Sequence, residues 1–159
     1  MTDVTHPTFR DLAPSDVDAL LARNHVGRIA YSFHDRVDIE PISYVHADGV
    51  VYFRTALGSK LATIAHAPWV AFEVDEVSGP FDWRSVVAHG TVYVLEDAGS
   101  SVTRAAYRLA VQHLRSLIPH ALDAEDPTPD RTIVLRMELA SVTGREARSS
   151  VQQTGGDRA

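Results

Sequence analysis

The sequence predicts a mainly β fold, a small antiparallel β-barrel of six strands with flanking helices. Three observations carry this expectation. Six runs rich in β-branched and aromatic residues alternate with period two between turn signals. Residues 46–49, His-Ala-Asp-Gly, end in the Asp48-Gly49 pair, which tolerates the positive φ of a tight hairpin. Gly90 interrupts a run too long for an average strand, where a bulge or bend would let the sheet curl. Closing the sheet disposes of exposed strand edges.

The elements follow in order. After a loose N-terminal arm, Ser15 with Asp18 three residues on forms a capping-box-like start for a short helix, "SDVDALLARN", with Val17, Leu20 and Leu21 on one side. Strands are expected at 26–33 ("VGRIAYSF"), 37–45 ("VDIEPISYV") and 50–55 ("VVYFRT"), the last two paired through the hairpin. A short helix, "SKLATIAHA", leads through Pro68 into a strand at 69–76, and a Gly-Pro loop precedes the long run 83–96. One long helix spans roughly 98–118, with Val102, Ala106, Leu109, His113 and Leu117 on one face, and Pro119 stops it. Residues 119–130 are a proline-rich acidic connection. The final strand, 131–142, turns Ile133, Leu135, Met137 and Leu139 inward.

Composition limits the rest. A chain of 159 residues, 45% hydrophobic and 23% charged, fits one domain with a real core, expected over 1–144. Residues 145–159 carry too little apolar surface to pack and are expected to form a mobile polar tail. The formal charge of −6 supplies no field for polyanions, so nucleic acid and membrane surfaces are not expected partners. Any anion must be held by a local basic cluster. The absence of cysteine removes disulfides, thiolate nucleophiles and cysteine-based zinc sites. There is no apolar signal region near the N-terminus and no run of 18 apolar residues, so a cytoplasmic protein is expected.

Arg54, Thr55, Ser59 and Lys60 form the densest candidate site: two cations, two hydroxyls and Gly58 at a strand end and a helix start. Unpaired N–H groups of a helix start, an arginine fork and a lysine charge all suit phosphate. The same residues also read as a surface arginine and a plain capped helix. No Walker pattern is present, so nucleotide hydrolysis is not indicated. Pro41 in "EPISYV" cannot donate to a ladder and belongs at an edge or bulge, where backbone groups stay free for a ligand. Ser43 and Tyr44 add candidate side-chain contacts there. Trp83 and Ser85 open the long strand, where a tryptophan either walls an aromatic ligand or anchors a core. The eight histidines are scattered without metal-ligand spacing, and no nucleophile elbow accompanies any serine.

Taken together, "GRIAYS", "EPISYV", "DGVVYFRTALGSKL", "VAFEVDEV" and "WRSVVAHGTVYVLE" resemble the pyridoxamine 5′-phosphate oxidase-like, FMN-binding split-barrel superfamily, particularly its nitroimidazole-resistance-type branch. The resemblance spans about residues 16–96, and "IVLRMELASVTGR" agrees more loosely. It implies a split-barrel homodimer with FMN at the interface, touched by both subunits, and hydride exchange through the flavin with a small-molecule substrate. By the resemblance, Arg54, Thr55, Ser59 and Lys60 hold the flavin phosphate. Pro41, Ile42, Ser43 and Tyr44 run along the ring and ribityl chain, and Trp83 and Ser85 reach the flavin across the dimer. Tyr44 and Trp83 are then the nearest side chains to the substrate. The chain has no tryptophan after Trp83 and no Arg-x-His pair in its tail, so vitamin B6 oxidation itself is not expected. A deazaflavin-dependent reductase and a non-catalytic flavin carrier or sensor are the alternative readings.

Overall fold

The computed structural model describes residues 6–150. Strand β1 (Pro7–Asp11) and helix α1 (Pro14–Arg23) precede strands β2 (Val26–Phe33), β3 (Arg36–Ala47) and β4 (Val50–Thr55). Helix α2 (Ser59–His66), strands β5 (Trp69–Gly79) and β6 (Asp82–Leu95), helix α3 (Ser101–Leu117) and strand β7 (Ile133–Ser149) follow. The six expected strands, β2 to β7, close into a barrel in the order β7-β4-β3-β2-β5-β6 and back to β7, all antiparallel. β1 is a seventh strand, added outside the ring on β7.

Alternation along each strand sends one side chain in and the next out. Ile29, Ile42, Tyr44, Phe53, Phe72 and Leu135 are among the residues that fill the interior. The Asp48-Gly49 hairpin is formed as expected, with φ of 51° and 74°. Gly90 sits where the β6–β7 register shifts, and a Cβ there would lie 2.0 Å from the Glu138 carbonyl oxygen. The two strands approach at that point more closely than any side chain allows.

The barrel is split where β3 changes partner. Residues 36–43 of β3 pair with β2, whereas only Tyr44–Ala47 pair with β4. Among the described residues, no strand pairs with the second edge of 36–43.

The helices plug and cover this ring. α1 buries Val17, Leu20 and Leu21. It starts one residue before the expected Ser15: Ala13 is the N-cap, and Pro14, whose missing N–H is no loss at N1, opens the first turn. α2 buries Ile64 in the core. α3 is capped by Ser100, whose hydroxyl accepts from Thr103 N–H at 3.2 Å. Its buried stripe is rotated from the expected one: Ala110 and Leu114, flanked by Tyr107, Val111 and Ile118, cover Tyr52 and Val134. Val102 and Leu109 stay in solvent. The helix lies over the outer face of β4 and β7, where Tyr52 and Val134 are buried beneath it. No helix among the described residues is long and apolar enough to cross a membrane.

Two expectations fail at the termini. Residues 7–11 are not a loose arm but pair with Arg145–Ser149, and the expected tail is therefore strand through Ser149. Charge pairing replaces the missing apolar surface there. Glu146 is 1% exposed and accepts from Nε of Arg10, of Arg84 at 2.9 Å and of Arg148 at 3.2 Å. Burial pushes its carboxyl up, but the Arg10 and Arg148 guanidinium groups outweigh it and hold the carboxyl below the usual range. Ala147, the next residue, is also buried. The remainder of the expected tail, 151–159, lies outside the described residues.

Candidate functional site

The β3–β4 ladder ends at Tyr44 and Phe53; Ser43 and Arg54, which would form the next pair, part from each other. This divergence creates the unpaired β3 edge, and Pro41 lies on it, opposite Arg28 of β2. The proline stands where the lack of an N–H predicts. Pro41 and Ser43 are exposed on the outer surface of the sheet, whereas Ile42 and Tyr44 point into the barrel.

Tyr44 is fully buried, donates its hydroxyl to the Leu21 carbonyl at 2.7 Å and packs edge-on against Phe72 at 4.9 Å. Its expected side-chain contact with a ligand is corrected: the ring is a core element that fastens α1 to β3. Ile42 is 3% exposed and has only its backbone to offer at the edge.

The expected phosphate residues divide into two groups. Thr55 closes β4, and Ser59 and Lys60 open α2 behind an extended Gly58. The first intrahelical bond runs from Ala62 N–H to the Gly58 carbonyl, which leaves the N–H groups of Ser59, Lys60 and Leu61 without an intrahelical acceptor. Lys60 Nζ lies 2.5 Å from Glu40 Oε2, and Tyr31 donates to Glu40 Oε1 at 2.7 Å. Lys60 first, then Tyr31, holds the Glu40 carboxyl below its usual range. The Lys60–Glu40 pair ties the start of α2 to the unpaired stretch of β3.

Arg54 belongs to the second group, and its expected role is corrected. Its side chain leaves β4 toward the connection after α3. There it pairs with Asp126 and donates through Nη2 to Asp126 Oδ1 and Thr128 Oγ1, each at 2.8 Å, and through Nη1 to the Arg131 carbonyl at 3.3 Å. Both partners are almost fully buried. The Arg54 hydrogen bond, with the N–H groups of Leu122 and Thr128, drives the Asp126 carboxyl far below the usual range. The guanidinium is a clasp whose charge is already balanced.

Trp83 and Ser85 are not brought to this corner within one chain. Pro41, Arg28 and Glu73 face one another across β3, β2 and β5, and Ser85 of the next strand donates to Glu73 Oε1 at 3.1 Å. Ser85 pairs with Asp75, so three strand spacings across and two residues along put it roughly 16 Å from Pro41. Arg28 Nη1 bridges Glu73 at 3.3 Å and Asp75 at 3.2 Å, while burial and then Asp75 push the Glu73 carboxyl up. Trp83 lies further toward the strand end against Phe9, with ring centroids 6.3 Å apart.

Sequence reasoning missed Glu40, Asp126, Thr128 and Arg131. Asp126 carries a local signal, since Asp-x-Thr is an Asx turn: Asp126 Oδ1 accepts from Thr128 N–H at 2.8 Å. Its long-range partner Arg54 has none.

The family model described as Pyridoxamine 5'-phosphate oxidase matches residues 13–146. A FAD-binding protein from Mesorhizobium loti is 25% identical with a TM-score of 0.72, covering 89% of this chain and 99% of that one. A conserved Corynebacterium diphtheriae protein of unknown function is 28% identical with a TM-score of 0.64, covering 87% and 97%. A candidate 5-nitroimidazole antibiotic resistance protein from Bacteroides thetaiotaomicron, 12% identical with a TM-score of 0.66 over 89% of each chain, shares the fold. No curated protein matches the chain. A match running from the entry of α1 to the buried Glu146 of β7, on a barrel that divides between β3 and β4, shows that the chain belongs to the pyridoxamine 5′-phosphate oxidase-like split-barrel family.

Proposed function

We propose that this protein binds a flavin, FMN, along the unpaired edge of β3 and acts as an oxidoreductase on a small molecule. The observation that carries the reading is the adjacency of that edge to Thr55, Ser59 and Lys60. The donor set fits a single terminal phosphate: two hydroxyls, the N–H groups opening α2, and one ammonium. Lys60 would exchange its Glu40 carboxylate for the phosphate. Pro41 and Ser43 would border the ring from the outer face of β3. The family and the FAD-binding relative support a flavin, and the single ammonium at the corner favours FMN. A bound flavin supplies hydride transfer at its ring, and the protein supplies position and shielding.

The outer face of β2, β3, β5 and β6 leaves Val26, Val37, Ile39, Trp69 and Val87 exposed. A second copy of the chain covers this face in the proposed reading, and Ser85 and Trp83 reach the flavin from that copy. This accounts for their distance from Pro41 in a single chain.

The absorbance spectrum of the purified protein and the mass of the chromophore released on denaturation test the reading. FMN is expected; a deazaflavin, FAD, or no binding of added FMN overturns the choice. Lys60→Ala is expected to lose about 1.5–3 kcal/mol of FMN affinity, roughly 10- to 150-fold. Anaerobic bleaching of the flavin band by a reduced nicotinamide nucleotide tests oxidoreductase chemistry against mere flavin carriage. Light scattering with flavin bound tests the dimer, and a strictly monomeric mass would exclude it.

A further inference from the structure

Where β4 leaves β3, a cavity of about 170 Å³ opens between the barrel and the C-terminal end of α3. Ser43 lines its β3 side, so the cavity adjoins the strand edge proposed for the flavin. Leu114, Leu117 and Ile118 of α3 and its C-cap form an apolar wall. Two guanidinium groups, Arg54 and Arg131, complete the lining with Thr128.

The two arginines differ in available charge. Arg54 is balanced by Asp126, and both its Nη atoms are engaged. Arg131 makes no ion pair among the described residues, and its side chain is exposed. Its backbone is nevertheless fixed: its N–H donates to the Thr128 carbonyl at 3.0 Å, and its carbonyl accepts from Arg54 at 3.3 Å. An anchored residue thus presents one uncompensated guanidinium at the mouth of an apolar cavity. The volume equals that of about six waters at roughly 30 Å³ each, room for one ring or a short branched chain.

We propose that this cavity is the substrate side of the site and takes a compact apolar monocarboxylate. The carboxylate would pair with the planar fork of Arg131, and the apolar body would lie against Leu114, Leu117 and Ile118. One uncompensated charge matches a monoanion, and the charge of Arg54, already balanced by Asp126, leaves none for a second. The substrate assignment rests on the proposed flavin position; the binding site itself does not.

Benzoate serves as the probe, with benzyl alcohol as its neutral counterpart. Calorimetric titration is carried out on the full chain without flavin and again with FMN added, where the flavin absorbance is also followed. Saturable benzoate binding is expected, weakened at least about 10-fold in Arg131→Gln and for benzyl alcohol, consistent with loss of a charge-assisted pair. Leu117→Trp, which fills the cavity, should abolish it. Benzoate binding that equals benzyl alcohol, or that survives Arg131→Gln unchanged, overturns the proposal. Binding without any change in the FMN band places the cavity away from the flavin and refutes its substrate role. A protein that takes up no FMN refutes the flavin reading, while the calorimetry still decides the cavity.

Discussion

Replacing Tyr44 by Phe separates a core role from a ligand role. The hydroxyl donates at 2.7 Å to the carbonyl of Leu21, which lies within the last turn of α1, where carbonyls have no intrahelical donor. Tyr44→Phe keeps the ring against Phe72 and removes only that donor, leaving a buried acceptor unsatisfied. Such a loss costs about 1–3 kcal/mol. For a domain of this size that is a fall in Tm of roughly 2–12 °C. Urea unfolding should show a lower midpoint at unchanged slope, and FMN affinity of the folded protein should stay within about twofold of wild type. A variant as stable as wild type that binds FMN at least about 10-fold more weakly would refute the placement of Tyr44 in the core.

Gly90→Ala forces a methyl group onto the Glu138 carbonyl oxygen and should cost about 3 kcal/mol or more, read as a large loss of Tm or failure to fold; near-wild-type melting would contradict the close approach of β6 and β7. Asp126→Ala leaves the Arg54 charge buried and unpaired, so chemical denaturation should show it less stable than the double variant Arg54→Met/Asp126→Leu, and Arg54→Ala should weaken FMN far less than Lys60→Ala. Glu76 is held at a pKa of about 2, chiefly by Arg23, whose Nε and Nη2 bind it at 2.7 and 2.8 Å, and by Asn24. Its folded value is below the unfolded one. Its contribution is therefore complete above about pH 4.5 and lost as pH falls toward about 2, and Glu76→Gln should flatten stability across that window in acid titrations.

The strands were legible because both of their signals are local. β2 and β4 occupy the expected residues, since alternation and flanking turns state where each begins and ends. Pro41 marked the open edge for an equally local reason, its missing N–H. The failures share a different cause. Tyr44 reads as a polar aromatic beside a candidate site, and only the packing of α1 over the barrel end reveals that its hydroxyl has a buried partner. Residues 145–149 read as tail because "REARS" has no apolar pattern, while its Glu146 is buried by arginines from β1 and β6 that lie far away in sequence. Arg54 looked like a phosphate ligand by neighbourhood with Ser59 and Lys60. Its actual partner stands 72 positions further on, in a segment whose composition says only that it is a loop.

β7 pairs with β1, β4 and β6 at once, joining residue 7 to residue 149 and residue 50 to residue 138. During synthesis the other strands of the ring emerge before the one that closes it, and hairpins such as β3–β4 form while their outer edges still lack a neighbour. Contacts this distant along the chain slow folding, because the loop must close before its pairings reward it. The nascent chain is accordingly most prone to aggregate in the interval between the appearance of β6 and the docking of β7. A shortened chain that stops at residue 144 would still close the ring through residues 133–144, but β1 would have no partner, and Arg10 and Arg84 no carboxylate to gather them.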